Sequence, residues 1–110
     1  MTLLCRLEEL ATVDSRGFSL DGRDFFVIRR GAEVFGYVNS CPHVGVPLDF
    51  RPHRFLTPDK KYILCSTHGA LFAVENGLCA RGPCHGDSLE AVPVEVEQGW
   101  VRLKAAPQEN

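Results

Sequence analysis

The sequence predicts a small all-β domain of short antiparallel strands. Three observations predict it. β-branched and aromatic residues gather in short runs, turn dipeptides separate those runs about every ten residues, and no stretch after residue 12 sustains a helical period. At the start, Leu3, Cys5 and Leu7 alternate as in a strand, while Leu3, Leu4, Leu7 and Leu10 also fit helical spacing. Cys5 is expected to pack within that first element. Asp21-Gly22 marks a tight turn between runs at 17–20 and 24–30. Phe26, Val27 and Ile28 are strong β-formers, and Gly31 breaks the run before a second strand at 33–38. Residues 62–64 are short, apolar and lead into Cys65, residues 71–74 follow His68-Gly69, and Asn76-Gly77 marks a hairpin turn. Val92, Val94 and Val96 alternate with Pro93, Glu95 and Glu97, a half-buried strand with an acidic outer face. Pro93 assigns that strand to a sheet edge. Gln98-Gly99 turns the chain into a final strand from Trp100 to Lys104.

The chain has 110 residues, of which 45% are apolar and 24% charged. That is the length of one domain, expected over residues 1–104, with a loose tail at 105–110. A chain this long buries roughly 65% of its unfolded surface and folds without staples. No run approaches the roughly 20 apolar residues that span a bilayer, and Met1 to Leu10 lacks the basic and apolar regions of a signal peptide. A cytoplasmic protein without membrane association is therefore expected. A net charge of −2 gives no basic surface for nucleic acid. Five cysteines, an odd number in a chain without a leader, argue for metal or redox chemistry rather than a disulfide framework.

Two short motifs carry that chemistry. Cys41-Pro42-His43 and Cys65-Ser66-Thr67-His68 each follow a strand signal, and each is followed closely by glycine, Gly45 and Gly69. Twenty-one residues, 44–64, lie between them. Each loop supplies one thiolate and one imidazole, and glycine permits the tight turns that wrapping a cofactor requires. Four such ligands suit a tetrahedral zinc ion. They also suit a [2Fe–2S] cluster with two cysteines on one iron and two histidines on the other. Zinc fingers pair cysteine with cysteine and histidine with histidine. The mixed pairing here favours the cluster.

Taken together, Cys-Pro-His-x-Gly and Cys-x-x-His-Gly resemble the signature of Rieske [2Fe–2S] proteins. The resemblance extends over most of the chain. It implies a Rieske-like fold of small antiparallel sheets, with a two-loop cluster-binding subdomain at about residues 39–85. It implies that Cys41 and Cys65 bind the inner iron while His43 and His68 bind the outer one. Arg81-Gly82-Pro83 resembles the loop that covers the cluster in this family, and 92–104 its closing hairpin. The high-potential members carry an extra cysteine in each loop. Val46 and Thr67 stand at the matching positions and form no such bridge. Those members also direct serine and tyrosine hydroxyls at the cluster, where Ala70 and Phe72 stand here. The implied potential lies near the low end of the Rieske range, about −150 mV, and falls with pH in the alkaline range.

The implied function is that of a soluble Rieske-type ferredoxin, carrying one electron between a reductase and an oxygenase or similar terminal enzyme, with no catalytic residue of its own. Alternatives are a small subunit or module of a larger oxidoreductase, as in nitrite-reductase small subunits, and a zinc-stabilised interaction module. A Cys65–His68 nucleophile is disfavoured because no oxyanion feature accompanies it. Cys79 and Cys84 are expected to be small, partly buried thiols, a local disulfide being the alternative. Arg51, Arg54, Lys60 and Lys61, with Asp59 among them, are expected to form a solvated loop, with steering of an acidic redox partner as the alternative. His53 is expected to be solvated, and Trp100 to serve packing.

Overall fold

A computed structural model describes residues 2–20, 22–40, 48, 54–65, 69–82 and 86–104. Among these, nine strands form three antiparallel sheets, and a single 3₁₀ turn at Leu7–Glu9 is the only helix. The first sheet orders β1 (Thr2–Arg6), β9 (Trp100–Leu103) and β8 (Val94–Glu97), so the beginning and end of the described chain pair with each other. The second is a meander of β2 (Val13–Leu20), β3 (Arg23–Arg30) and β4 (Glu33–Val38). The third is a smaller meander of β5 (Tyr62–Cys65), β6 (Ala70–Ala73) and β7 (Cys79–Arg81). The strand reading of the N-terminal leucines holds over residues 2–6, and a 3₁₀ turn at Leu7–Glu9 stands where the helical spacing would have continued.

Phe25, Phe26, Val27 and Ile28 are all buried on β3, and the reason is geometric. Successive strand residues face opposite sides. Phe26 and Ile28 join Tyr37 in a core with Ile63, Cys65, Ala70 and Phe72 of the third sheet and Val74 just after β6. Phe25 and Val27 join a second core with Cys5, Leu10 and Val101, which faces the first sheet. The middle sheet is thus covered on both sides, so its central strand reads as a continuous apolar run rather than an alternating one. Cys5 packs in that second core, and burial raises its thiol above the usual value. Polar ties join the layers at their margins. The Arg29 guanidinium donates to the Leu10 carbonyl at 2.8 Å and the Leu7 carbonyl at 3.2 Å, and Arg30 pairs with Glu75.

The late strand lies at an edge of its hydrogen-bonded sheet, as Pro93 requires. Its acidic face is engaged rather than bare. Arg102 lies opposite Glu95 in the ladder, pairs with it at 2.5 Å and also reaches Glu97. Gln98 and Gly99, both at positive φ, make the turn between β8 and β9. The strand at 17–20 extends back to Val13. The alternation of Asp14 and Arg16 hides this, but their backbones pair in register with Arg29 and Val27.

Tyr37 links β4 to the turn after β6. Its buried hydroxyl donates to the Val74 carbonyl at 2.5 Å. Burial, with the Glu75 carboxylate adding to it, pushes the Tyr37 phenol up to about 12, above its ordinary value of 10.0. The neutral phenol therefore stabilises the fold fully below the unfolded value near 10, and that contribution is lost as pH rises towards 12. The loss amounts to up to about 2–3 kcal/mol. Tyr37→Phe should flatten stability across this window, while costing about 1–2 kcal/mol at neutral pH through the unpaired carbonyl. Urea titrations at neutral and alkaline pH check both signs.

Candidate cluster-binding site

The site is built where the second and third sheets meet their loops. Cys65 closes β5 rather than following it, is fully buried, and pairs across the ladder with Ala70, the first residue of β6. Cys65, the first residue of the second motif, therefore sits at the end of the β5–β6 ladder. The Gly69 N–H donates to the Cys65 carbonyl at 2.8 Å, and Gly69 takes φ 70°. Among the described residues no atom beyond its chain neighbours lies within 4 Å of a Cβ placed there, and the left-handed backbone is what calls for glycine after His68.

The base of the first loop is fastened on both sides. After β4, the Asn39 N–H donates to the Asp24 carbonyl at 2.9 Å. Its side-chain oxygen accepts from the Leu48 N–H at 2.8 Å. Asn39 and Leu48 bracket the stretch that holds Cys41 and His43. Leu48 is fully buried in the same core as Cys65, Ala70 and Phe72. Both Cys-His segments thus spring from one core. Asn39 went unnoticed in the sequence. Its position just before the first motif was the available signal.

Phe55 seats the approach to Cys65. Its ring stacks on Phe26 with centroids 4.1 Å apart. Residues 55–64 form a small hairpin, closed by the Leu64 N–H donating to the Phe55 carbonyl and the Thr57 N–H to the Tyr62 carbonyl, each at 2.9 Å. Asp59, Lys60 and Lys61 are exposed, as expected of a solvated loop, and Asp59 and Lys60 also shape its turn. Asp59 accepts from the Thr57 hydroxyl at 2.5 Å and the Lys61 N–H at 3.0 Å. These bonds hold its carboxyl below the usual range. Lys60 donates to the Val13 carbonyl at 3.2 Å.

On the other side of Ala70 lies Gly82, at φ 113°. A Cβ on Gly82 would fall 2.9 Å from the Ala70 Cα and 3.1 Å from its Cβ. The backbone after β7 is therefore laid directly on the first residue after the second motif. Gly82→Ala should cost about 1–3 kcal/mol for the backbone conformation alone, with the steric contact adding to it. Urea unfolding measures the cost, and a loss below about 0.5 kcal/mol would show that this contact is not tight.

Of the expected ligands, Cys65 is placed as above. Cys41, His43 and His68 lie outside the described residues, as do Val46, Thr67, Asp21, Arg51, His53, Pro83, Cys84 and the tail at 105–110. Among the described residues no three His, Cys, Asp or Glu side chains gather around one point. The expectation of a Cys79 thiol is corrected: Cys79 is disulfide-bonded. Its sulfur also lies 3.6 Å from the Arg81 carbonyl oxygen. Ala70 and Phe72 are fully buried on β6 and bring no hydroxyl to the region.

The one expected ligand among the described residues, Cys65, has the chemistry a [2Fe–2S] cluster takes: a fully buried thiol at a strand end, with Gly69 in the left-handed region and Gly82 packed on Ala70 beside it. The Rieske [2Fe-2S] domain model matches residues 1–98, and the chain belongs to that family. The domain's cofactor is a [2Fe–2S] cluster, which replaces the zinc alternative. No curated protein matches the sequence. Among solved structures, the chain is similar to the ferredoxin of carbazole 1,9a-dioxygenase from Nocardioides aromaticivorans IC177, with TM-score 0.75 and 24% identity over 94% of each chain. It is also similar to a chain in the complex of reduced oxygenase and oxidised ferredoxin in carbazole 1,9a-dioxygenase, with TM-score 0.74, 24% identity, and coverage of 92% of this chain and 98% of that one. The terminal oxygenase of the Nocardioides system matches 98% of this chain at TM-score 0.79 and 23% identity, but over only 30% of its own length. At these identities the likeness is one of fold. Among the described residues no helix is long and apolar enough to cross a membrane.

Proposed function

We propose that this chain, as a single domain over residues 1–104, is a ferredoxin-type electron carrier serving an oxygenase or similar terminal enzyme. In this reading Cys41 and Cys65 hold one iron of the cluster, and His43 and His68 the other. The cluster, when bound, supplies a one-electron acceptor and donor. The chain's part is to hold it dry on the cysteine side and leave the histidine side to the partner. The observation that carries the proposal is the common origin of the two Cys-His segments. Asn39 ties the first to Leu48, and Leu48 shares a core with Cys65. Ala70 and Phe72 lack the hydroxyls that would stabilise a reduced cluster, which supports a potential near the low end of the Rieske range, about −150 mV.

The partner class rests on the fold neighbours, since one such ferredoxin is found in complex with its oxygenase. A reductase would supply the electron. A second reading, a module of a larger oxidoreductase, is favoured by the likeness to part of a terminal oxygenase chain. Co-purification with a large partner would distinguish it from a free carrier.

The test is electron paramagnetic resonance of protein purified anaerobically and reduced with dithionite, with iron and sulfide assayed on the same sample. A rhombic [2Fe–2S] signal with the low average g of histidine ligation, and a potential near the low end of the range, is the expected result. Zinc in place of iron, with no sulfide, would overturn it.

A further inference from the structure

β5 and β6 turn alternate residues to opposite sides. Ile63, Cys65, Ala70 and Phe72 face the core. Tyr62, Leu64, Leu71 and Ala73 therefore face outward, and the ladder sets them side by side, Tyr62 opposite Ala73 and Leu64 opposite Leu71. Tyr62 is 38% exposed, and the other three are half-buried. Arg81 of β7 is exposed and stands opposite Leu71, one row from Cys65 and Ala70. Lys61, next to Tyr62, is exposed as well. An apolar strip thus runs along the outside of the sheet that carries Cys65, with Lys61 and Arg81 at its two ends. The charge of this region runs against that of the chain, whose net charge is −2. The hairpin and strands bring Arg54, Lys60, Lys61 and Arg81 against Asp59 and Glu75. Asp59 is tied to the Thr57 hydroxyl and the Lys61 N–H, and Glu75 to Arg30. Neither Lys61 nor Arg81 enters an ion pair among the described residues.

We propose that this outward face of the third sheet docks a redox protein whose own surface sets carboxylates around an apolar centre. The inference rests on the electron-carrier reading and adds to it the chemistry of the partner. Lys61 and Arg81 steer an acidic surface in, against the repulsion of a chain that is negative as a whole. Tyr62, Leu64 and Leu71 then supply the apolar contact that holds it. Tyrosine and arginine around an apolar centre are side chains that carry binding energy in protein interfaces. Docking there brings the partner to the end of the sheet where Cys65 lies.

The probe is a reduced plant-type [2Fe–2S] ferredoxin of acidic net charge. Its potential lies well below the Rieske range, so electron transfer to the oxidised chain runs downhill. Stopped-flow absorbance follows the second-order rate as salt is raised. The rate should fall, because salt screens the attraction. Arg81→Glu and Lys61→Glu should each lower it several-fold at low salt. Lys104→Glu makes the same change in net charge just after β9, in the sheet on the other side of the middle one, and should leave the rate nearly unchanged. Tyr62→Ser should slow transfer at high salt as well as low, since an apolar contact is not screened. Circular dichroism and the resonance signal check that each variant is folded and loaded. A rate that rises with salt, or one that Lys104→Glu lowers as much as Arg81→Glu does, would overturn the proposal, because net charge and not this face would then govern the encounter. A rate untouched by Tyr62→Ser would overturn the apolar contact. A native chain without a cluster fails earlier, at the resonance measurement, and refutes the carrier reading together with the docking face.

Discussion

Cys65→Ser should yield a protein that folds but carries no Rieske-type cluster: no rhombic signal after dithionite, no visible charge-transfer absorption, and iron and sulfide near zero. The reasoning starts from position. Cys65 is fully buried where β5 ends, so its sulfur is the donor that the fold presents from within the core. Serine is nearly isosteric, and its alkoxide is too poor a match for iron–sulfur chemistry to replace a thiolate. Burying an added hydroxyl costs about 1–3 kcal/mol, so the substituted chain should remain folded though weakened. Circular dichroism on the same sample separates loss of cluster from loss of fold. A variant that kept a full rhombic signal would remove Cys65 from the ligand set.

Phe26→Ala should produce the largest loss of stability, about 3–5 kcal/mol. Phe26 is fully buried, stacked on Phe55 at 4.1 Å and tilted against Tyr37 at 6.0 Å. Its removal empties the meeting point of the middle sheet and the hairpin that delivers Cys65. Domains of this kind hold about 5–15 kcal/mol in all, so the loss is a large share. Urea denaturation should show a lower midpoint at unchanged slope. A shift worth less than about 1 kcal/mol would mean that Phe55 and its neighbours collapse into the space.

The strand plan was legible because strong local signals coincide with it. Val, Phe and Ile fill β3 and β4, while Gly22, Gly77 and Gly99 carry positive φ at three of the turns. Contact across layers was not legible. Phe25 to Ile28 read as one apolar run, and only the presence of sheets on both sides shows that alternate residues belong to different cores. Val13 to Arg16 escaped notice because Asp14 and Arg16 mask a strand held by backbone pairing. In the site, the Cys-His motifs were plain from spacing alone. Asn39 was not, because its part depends on reaching Leu48, nine residues away. Nor was the bonded state of Cys79, since a cysteine in a short strand suits a thiol and a disulfide alike. Lys60 and Asp59 are the solvent-facing charges they looked like, and their turn bonds to Val13, Thr57 and Lys61 were the part that spacing did not show.

The pairing of β1 with β9 bears on the order of assembly. Thr2 lies opposite Leu103, and among the named strands β1 has no other hydrogen-bonded neighbour. β1 must therefore wait for β9 to be synthesised, while both meanders can close locally between them. Such long-range closure is slow relative to hairpin formation. The two meanders that root the Cys-His segments can thus be in place before the outer sheet seals the far face. Cys65, at the end of β5, can therefore take its place while β1 and β9 are still apart.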